Sequence, residues 1–183
     1  MTTRFNPILL VAALVWIVPT PALADGFFSP WIGVNFANEP ADGRTSFGVT
    51  GGGMRGGIIG GEIDFGYSPS FFGEENVFGN NNVLTLVGNL IVGIPIGGTQ
   101  GPGIRPYVTA GGGLIRSKMD LLELEVSSSD FGIDAGGGVM IYFSDRVGIR
   151  GDLRYFRTGL DDFDFLDTDT VDFWRASIGV TFR

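Results

Sequence analysis

The feature that most constrains this chain is a two-residue alternation that runs through most of the sequence after residue 27. Apolar side chains alternate with small or polar ones in segments of roughly ten residues, separated by stretches rich in glycine, proline or aspartate. A period of two is that of a β-strand, whose successive side chains point to opposite faces. Each segment is a weak signal alone, but the repetition predicts an all-β fold.

Eight segments follow this alternation. We predict strands over 28–37, 45–54, 58–67, 82–94, 105–116, 131–143, 147–157 and 172–182. Their connections differ in length, with short turns at 55–57, 97–103 and 144–146 and longer loops at 38–44, 68–81, 117–130 and 158–171. Short turns at one end and long loops at the other are typical of transmembrane barrels. The predicted fold is therefore an eight-stranded antiparallel up-and-down transmembrane β-barrel.

The N-terminal segment has the pattern of an export signal. Arg4 precedes an eleven-residue apolar run at 8–18, two prolines follow, and a small-x-small sequence ends at Ala24. The apolar run is too short for a bilayer-spanning helix, which needs about 20 residues. We predict a signal peptide over 1–24, cleaved after Ala24, and a barrel domain over 25–183.

The composition agrees with a barrel that faces lipid. Charged residues make up 17% of the chain, against roughly 25% in ordinary soluble domains, and glycine contributes 31 of the 183 residues. The mean hydropathy is +0.25, yet no other apolar run is long enough to form a spanning helix. A closed barrel is the non-helical way to satisfy backbone groups in lipid. The expected location is the cell outer membrane.

The absent residue types exclude several kinds of function. With no histidine and no cysteine, the chain can form neither a Ser-His-Asp triad nor a thiol nucleophile. The net charge of -8 provides no basic surface for nucleic acid. We therefore predict no catalytic residues, no cofactor and no metal centre, and we do not expect an enzyme.

The strand parity places a set of charged residues inside the barrel. An eight-stranded barrel has an interior only just filled by side chains, so the glycines on the inward face leave room for a few long groups. The predicted inward charges are Glu62, Asp64, Asp134, Arg150, Asp152, Arg154 and Arg175. Because buried charges need partners, we predict an ion-pair network that plugs the lumen. A narrow ion or small-solute channel is the alternative reading of the same residues.

The last long loop is acidic. It carries Asp161, Asp162, Asp164, Asp167 and Asp169. Carboxylates can bind Ca²⁺ or Mg²⁺, but the spacing does not match an EF-hand. A solvated acidic loop is the simpler interpretation, and cation bridging to lipopolysaccharide is the functional one.

Three segments resemble the small eight-stranded outer-membrane β-barrel proteins of the OmpA transmembrane-domain, OmpX and opacity-protein type. They are Arg105-Pro-Tyr-Val-Thr-Ala-Gly-Gly-Gly113, Gly148-Ile-Arg-Gly-Asp-Leu-Arg-Tyr155 and Ser177-Ile-Gly-Val-Thr-Phe-Arg183. The last resembles the C-terminal signal of that family, carried here by Ser177, Gly179 and Phe182. Family members usually end on an aromatic residue, whereas here Arg183 follows Phe182.

The resemblance implies outer-membrane lipid, lipopolysaccharide and the barrel-assembly machinery as partners, with any surface partner unknown. The leading expectation is a structural or surface-interaction role carried by extracellular loops. Some barrels of this size modify lipid A, but those known use a catalytic histidine, which this chain lacks. A soluble, periplasmic, lipocalin-like ligand-binding barrel stays open, because parity alone does not decide which face meets the lumen.

Overall fold

The computed structural model describes residues 24–36, 43–69, 81–121, 124–158 and 172–183. It contains eight strands in this order: β1 (Ala24–Phe36), β2 (Arg44–Arg55), β3 (Ile59–Pro69), β4 (Asn81–Gly93), β5 (Gly103–Leu121), β6 (Leu124–Tyr142), β7 (Val147–Thr158) and β8 (Asp172–Phe182). Each strand pairs antiparallel with the next, and β8 pairs with β1, so the sheet closes into a barrel. The described ranges contain no helix long and apolar enough to cross a membrane.

The register fixes the dimensions of the barrel. The pairing leads from Ala24 around all eight strands and returns to β1 at Val34, an offset of ten residues, 34 minus 24. Such an offset requires the strands to tilt, typically by about 35–45° from the barrel axis. With eight tilted strands the interior is narrow, and side chains fill it.

The predicted fold class is confirmed, and one connection differs from the prediction. Residues 117–130 were expected to form a loop, but β5 continues to Leu121 and β6 begins at Leu124, with Lys118 opposite Ser127 in the register. The prediction is wrong here because continued pairing satisfies the backbone hydrogen bonds of both segments even where the side-chain alternation is weak. The barrel thus has one hairpin with long arms.

The two ends of the barrel differ in their connections. We call the end at residues 56–58, 94–102 and 143–146 the turn end, and the other the loop end. At the turn end, Gly56 and Gly57 have φ angles of 58° and 67°, a region that glycine enters without steric cost. Residues 37–42, 70–80 and 159–171, in three of the loop-end connections, lie outside the described residues.

The outer surface of the barrel is apolar across its middle. Large side chains such as Ile32, Ile63 and Val108 point outward and are 62%, 59% and 63% exposed. Outward-facing arginines lie near the strand ends, with Arg55 at the turn end and Arg157 at the loop end. An outward apolar band about 25 Å tall is what transmembrane barrels present to lipid.

Inside the barrel, two apolar clusters enclose a polar layer. The cluster nearer the turn end consists of Phe27, Met54, Ile91, Tyr107, Met140 and Tyr142. The cluster nearer the loop end consists of Val83, Val87, Ile115, Phe156 and Phe173. Successive inward positions of β4 run from Ile91 in the first cluster through buried Asn89 to Val87 in the second. The polar layer therefore lies at mid-height.

Candidate functional site

All seven charged residues assigned to the inward face by parity point into the barrel. Their side chains are joined by six ion pairs, and none of these side chains is more than 6% exposed. The pairs fall into two groups that share no residue. The larger group, which we call the β7 cluster, consists of Glu62, Asp134, Arg150, Asp152 and Arg154. The smaller group is the Asp64–Arg175 pair.

Two arginines of β7 reach across the lumen to one carboxylate. Arg150 Nη2 lies 3.0 Å from Glu62 Oε2, and Arg154 Nη2 lies 2.5 Å from Glu62 Oε1. Glu62 stands on β3, which is four strands from β7 and therefore on the opposite wall of an eight-stranded barrel. These contacts tie opposite walls together through the centre.

Asp152 lies between the same two arginines. It is 3.0 Å from Arg150 Nη2 and 2.6 Å from Arg154 Nε. The hydroxyl of Tyr107 donates a hydrogen bond to Asp152 and accepts one from Arg150 Nε at 2.7 Å. One carboxylate, one phenol and two guanidinium groups thus satisfy one another at close range, as buried charges require.

Asp134 is the least well paired carboxylate of the β7 cluster. Its Oδ2 lies 3.4 Å from Arg154 Nη1 and accepts a hydrogen bond from Asn89 at 3.2 Å. Its Oδ1 is buried and has no hydrogen-bond partner within the part of the chain that the structure describes. The cluster contains three carboxyl groups and two guanidinium groups, so Asp134 is the acid in excess.

The Asp64–Arg175 pair lies on the β3 and β8 sides of the barrel. Arg175 Nη2 is 2.5 Å from Asp64 Oδ1, and Thr50 donates a hydrogen bond of 2.7 Å to the other carboxylate oxygen. The guanidinium lies 4.3 Å from the centre of the Trp31 ring. A Cβ on Gly66 would lie 2.6 Å from Arg175 Nη1, so this glycine provides the space that the arginine occupies.

At the turn end of the barrel, two arginines lie over an aromatic ring. Arg183 lies 3.7 Å and Arg105 lies 5.6 Å from the ring centre of buried Tyr142. Arg183 also donates hydrogen bonds to the carbonyl oxygens of Thr99 and Gly101, the latter at 2.9 Å. These bonds hold the β4–β5 turn against the end of β8.

Residues 10–183 match the family model for the outer membrane protein beta-barrel domain. The chain belongs to this family. The match spans nearly the whole sequence, so the family identity covers all eight strands. Comparison with curated proteins gives no match.

Solved structures agree with the family assignment at the level of the fold. Neisserial surface protein A has 16% sequence identity and a TM-score of 0.65, with 86% of this chain and 96% of that chain covered. The N-terminal β-barrel domain of Pseudomonas aeruginosa OprF has 20% sequence identity and a TM-score of 0.58, with 86% of this chain and 96% of that chain covered. Ail of Yersinia pestis, in complex with the heparin analogue sucrose octasulfate, has 14% sequence identity and a TM-score of 0.54, with 87% of this chain and 99% of that chain covered.

The family assignment and the side-chain directions decide between two earlier readings. Across its middle, this outer-membrane barrel domain has seven paired charged residues inside and a band of large apolar residues outside. A soluble lipocalin-like barrel requires the reverse arrangement, with an apolar lumen and charges in water. The soluble reading is therefore wrong, and the outer membrane is the location.

Several lumen partners of the charged residues were not predicted from the sequence. They are Thr50, Asn89, Tyr107 and Thr109, which contact Asp64, Asp134, Asp152 and Glu62 respectively. All four are uncharged, so they were not identified when only charged residues on the inward face were considered. Their strand parity was the available signal, since Tyr107 and Thr109 flank outward-facing Val108 on β5.

The remaining predicted residues lie on β8 or outside the described ranges. Phe182 faces outward with 43% exposure and pairs with Phe28 of β1 and Val147 of β7. Ser177 and Gly179 occupy inward positions of the same strand. The acidic loop with Asp161, Asp162, Asp164, Asp167 and Asp169 lies outside the described residues. Among the residues that are described, no group of three acids is placed to hold a metal ion.

Proposed function

We propose that this outer-membrane barrel is closed to solutes and has a structural or surface-interaction role carried by its extracellular connections. The observation that carries the proposal is the filled lumen. Arg150 and Arg154 are paired with Glu62 across the full width of the barrel, and an apolar cluster lies on either side of that layer. A solute would have to break several buried ion pairs to pass, which costs several kcal/mol.

Planar-bilayer recording of the folded protein tests the closed lumen. We expect no single-channel steps from the wild-type protein. Arg150→Ala removes one of the two cross-lumen contacts, and Arg157→Ala on the outward face of the same strand is the matched control. Regular conductance steps in the wild type that change in Arg150→Ala but not in Arg157→Ala would establish the narrow-channel alternative instead.

The surface role requires the loop end to face outward from the cell. The support is that the two longest connections, 70–80 and 159–171, both lie at the loop end, because outer-membrane barrels have short periplasmic turns and longer extracellular loops. An epitope tag inserted at 75–76 should be labelled by antibody on intact cells. The same tag at 99–100, in the β4–β5 turn, should be labelled only after permeabilisation. The opposite result would contradict this orientation and the surface role.

Two segments of the chain carry the proposed signals for export and for assembly into the membrane. We propose cleavage after Ala24, which predicts Asp25 as the first residue found by N-terminal sequencing of membrane-derived protein. Ser177, Gly179 and Phe182 form the proposed signal for the barrel-assembly machinery. Phe182→Ala should lower the yield of heat-modifiable, folded protein in the outer membrane, whereas Phe143→Ala, another exposed aromatic at the turn end, should not.

Lipopolysaccharide is the proposed partner of the acidic loop, through bridging divalent cations. The support is the run of five aspartates from Asp161 to Asp169, since carboxylates and lipid phosphates both coordinate Ca²⁺. The structure of Ail includes a sulfated sugar, but an acidic loop repels such a ligand. Replacing the five aspartates by asparagine should weaken Ca²⁺-dependent retention of the folded protein on lipopolysaccharide. Unchanged retention would leave the loop as a solvated segment.

A further inference from the structure

A small cavity lies inside the loop-end half of the barrel, where β8 closes the sheet against β1. Its lining includes Trp31 and Asn35 of β1, Ser46 of β2 and Arg175 of β8. Val83 and Phe173 of the loop-end apolar cluster also line it, together with residues 66–68 of β3 and Thr85 of β4. The cavity therefore lies on the loop-end side of the polar layer, and its lining is partly polar and partly apolar.

Each of those four polar residues has a buried atom without a hydrogen-bond partner among the described residues. The atoms are Trp31 Nε1, Asn35 Oδ1, Ser46 Oγ and Arg175 Nε. Buried polar groups are normally satisfied by protein or by ordered water, and one left unpaired is destabilising. Four residues that line one cavity each carry such an atom, which points to an occupant that pairs with them.

The size of the cavity limits the occupant. About 10 Å³ is available to the centre of a water molecule, which is close to the minimum that holds one water. A sugar, a lipid headgroup or a phosphate ion needs several times that room. A single water or a monatomic ion is what fits.

The hydrogen-bonding capacities of the four atoms distinguish a water molecule from a monatomic ion as the occupant. The N–H groups of Trp31 and Arg175 can only donate, Asn35 Oδ1 can only accept, and the Ser46 hydroxyl can do either. A water molecule accepts two hydrogen bonds and donates two, which matches this set. A halide would leave Asn35 Oδ1 unpaired, and a cation would face two N–H donors.

We propose that this cavity binds one long-lived water molecule, which accepts from Trp31 and Arg175 and donates to Asn35 and Ser46. The water links β1, β2 and β8, and so bridges the seam at which the barrel closes. It also fixes the indole of Trp31, against which the Arg175 guanidinium stacks at 4.3 Å. The β8–β1 junction is thus held by a hydrogen-bonded water as well as by the strand pairing.

The chain offers a matched control for Ser46. Ser29 is also buried, at 0% exposure against 1% for Ser46, and its hydroxyl also has no partner among the described residues. Ser29 does not line this cavity. Ser46→Ala and Ser29→Ala therefore remove the same group from equally buried sites, and only the first removes a proposed ligand of the water.

Water-selective NMR on the full chain folded in deuterated detergent micelles tests the proposal. The Trp31 indole N–H signal is assigned by its loss in Trp31→Phe. We expect a rotating-frame Overhauser cross peak from water to this N–H, with the sign of dipolar contact rather than of chemical exchange. The peak should fall at least several-fold in Ser46→Ala and keep its intensity in Ser29→Ala.

Three results would overturn the proposal. The first is a resolved Trp31 indole signal without a water cross peak in the wild-type protein. The second is a cross peak of equal intensity in Ser46→Ala and the wild type. The third is a saturable shift of the Trp31 signal on addition of bromide in place of an inert salt, which would identify a halide site. The first and third are measured on the wild-type protein and need a substitution only to assign the Trp31 signal.

Discussion

The two faces of strand β7 show how one backbone meets two different environments. Its inward positions carry Arg150, Asp152 and Arg154, each paired with an opposite charge within 3.4 Å. Its outward positions include Ile149 and Leu153, which are 36% and 45% exposed. Residues one position apart therefore differ completely in polarity, although they belong to the same strand.

The difference shows that lipid determines which residues the outward face can carry, whereas the inward face can carry charged residues wherever oppositely charged partners are available. Lipid offers no hydrogen bonds, so the outward face must be apolar wherever it crosses the hydrocarbon. The lumen tolerates charges because opposite walls supply their partners, as Glu62 of β3 does for β7. Removing one partner is therefore strongly destabilising, because it leaves an uncompensated buried charge.

Removing the central arginine should have the largest effect. Arg154→Met takes one partner from each of Glu62, Asp134 and Asp152 and leaves buried carboxylates uncompensated. We expect the free energy of unfolding to fall by about 3–5 kcal/mol. Urea unfolding in lipid vesicles, followed by the change in gel mobility between folded and unfolded protein, measures it.

Arg157→Met is the control for that variant, because Arg157 lies three positions along β7 on its exposed outward side. Its loss should change the stability by less than about 1 kcal/mol, as for other exposed charges. Equal losses in the two variants would show that the lumen position of Arg154 contributes nothing.

A charge placed on the outward, lipid-facing side of β7 should have the next largest effect on the free energy of unfolding. Leu153→Arg puts an arginine next to the β7 cluster in sequence but on the lipid side. An arginine near the bilayer midplane costs a barrel about 2–4 kcal/mol. Val147→Arg, at the turn end of the same strand, should cost only about 0–1 kcal/mol, because the penalty falls toward the interface. Equal penalties at the two depths would contradict the assigned lipid-facing band.

The Asp64–Arg175 pair should be less sensitive than the β7 cluster. Arg175→Met leaves a single carboxylate, which keeps its hydrogen bond from Thr50. We expect a loss of about 1.5–3 kcal/mol, the range for a hydrogen bond to a charged group. The double variant Asp64→Asn with Arg175→Met should recover part of it, because no uncompensated charge stays buried. A double variant less stable than Arg175→Met alone would argue against this cause.

The seven inward charges could be predicted because strand parity is local, and a run such as Arg150, Asp152, Arg154 alternates with apolar neighbours. Which of these charges form ion pairs with one another could not be predicted. The ion pairs depend on a ten-residue register offset to which all eight strands contribute. Whether Glu62 faces Arg150 or another arginine across the lumen is invisible in either strand alone. The long β5–β6 hairpin was missed for a similar reason, because its pairing is cooperative and its alternation weak.

The excess of carboxylates in the β7 cluster leads to the smallest expected effect. Asp134 has the longest ion pair of the cluster, and its Oδ1 has no partner among the described residues. Asp134→Asn keeps the shape and leaves Arg154 paired with Glu62 and Asp152, so the stability should change by less than about 1 kcal/mol. Glu62→Gln, which removes the charge shared by two arginines, should cost more under the same urea titration. If Asp134→Asn proved as costly as Glu62→Gln, the two carboxyl groups would carry equal weight, and the excess acid would have to be sought elsewhere in the lumen.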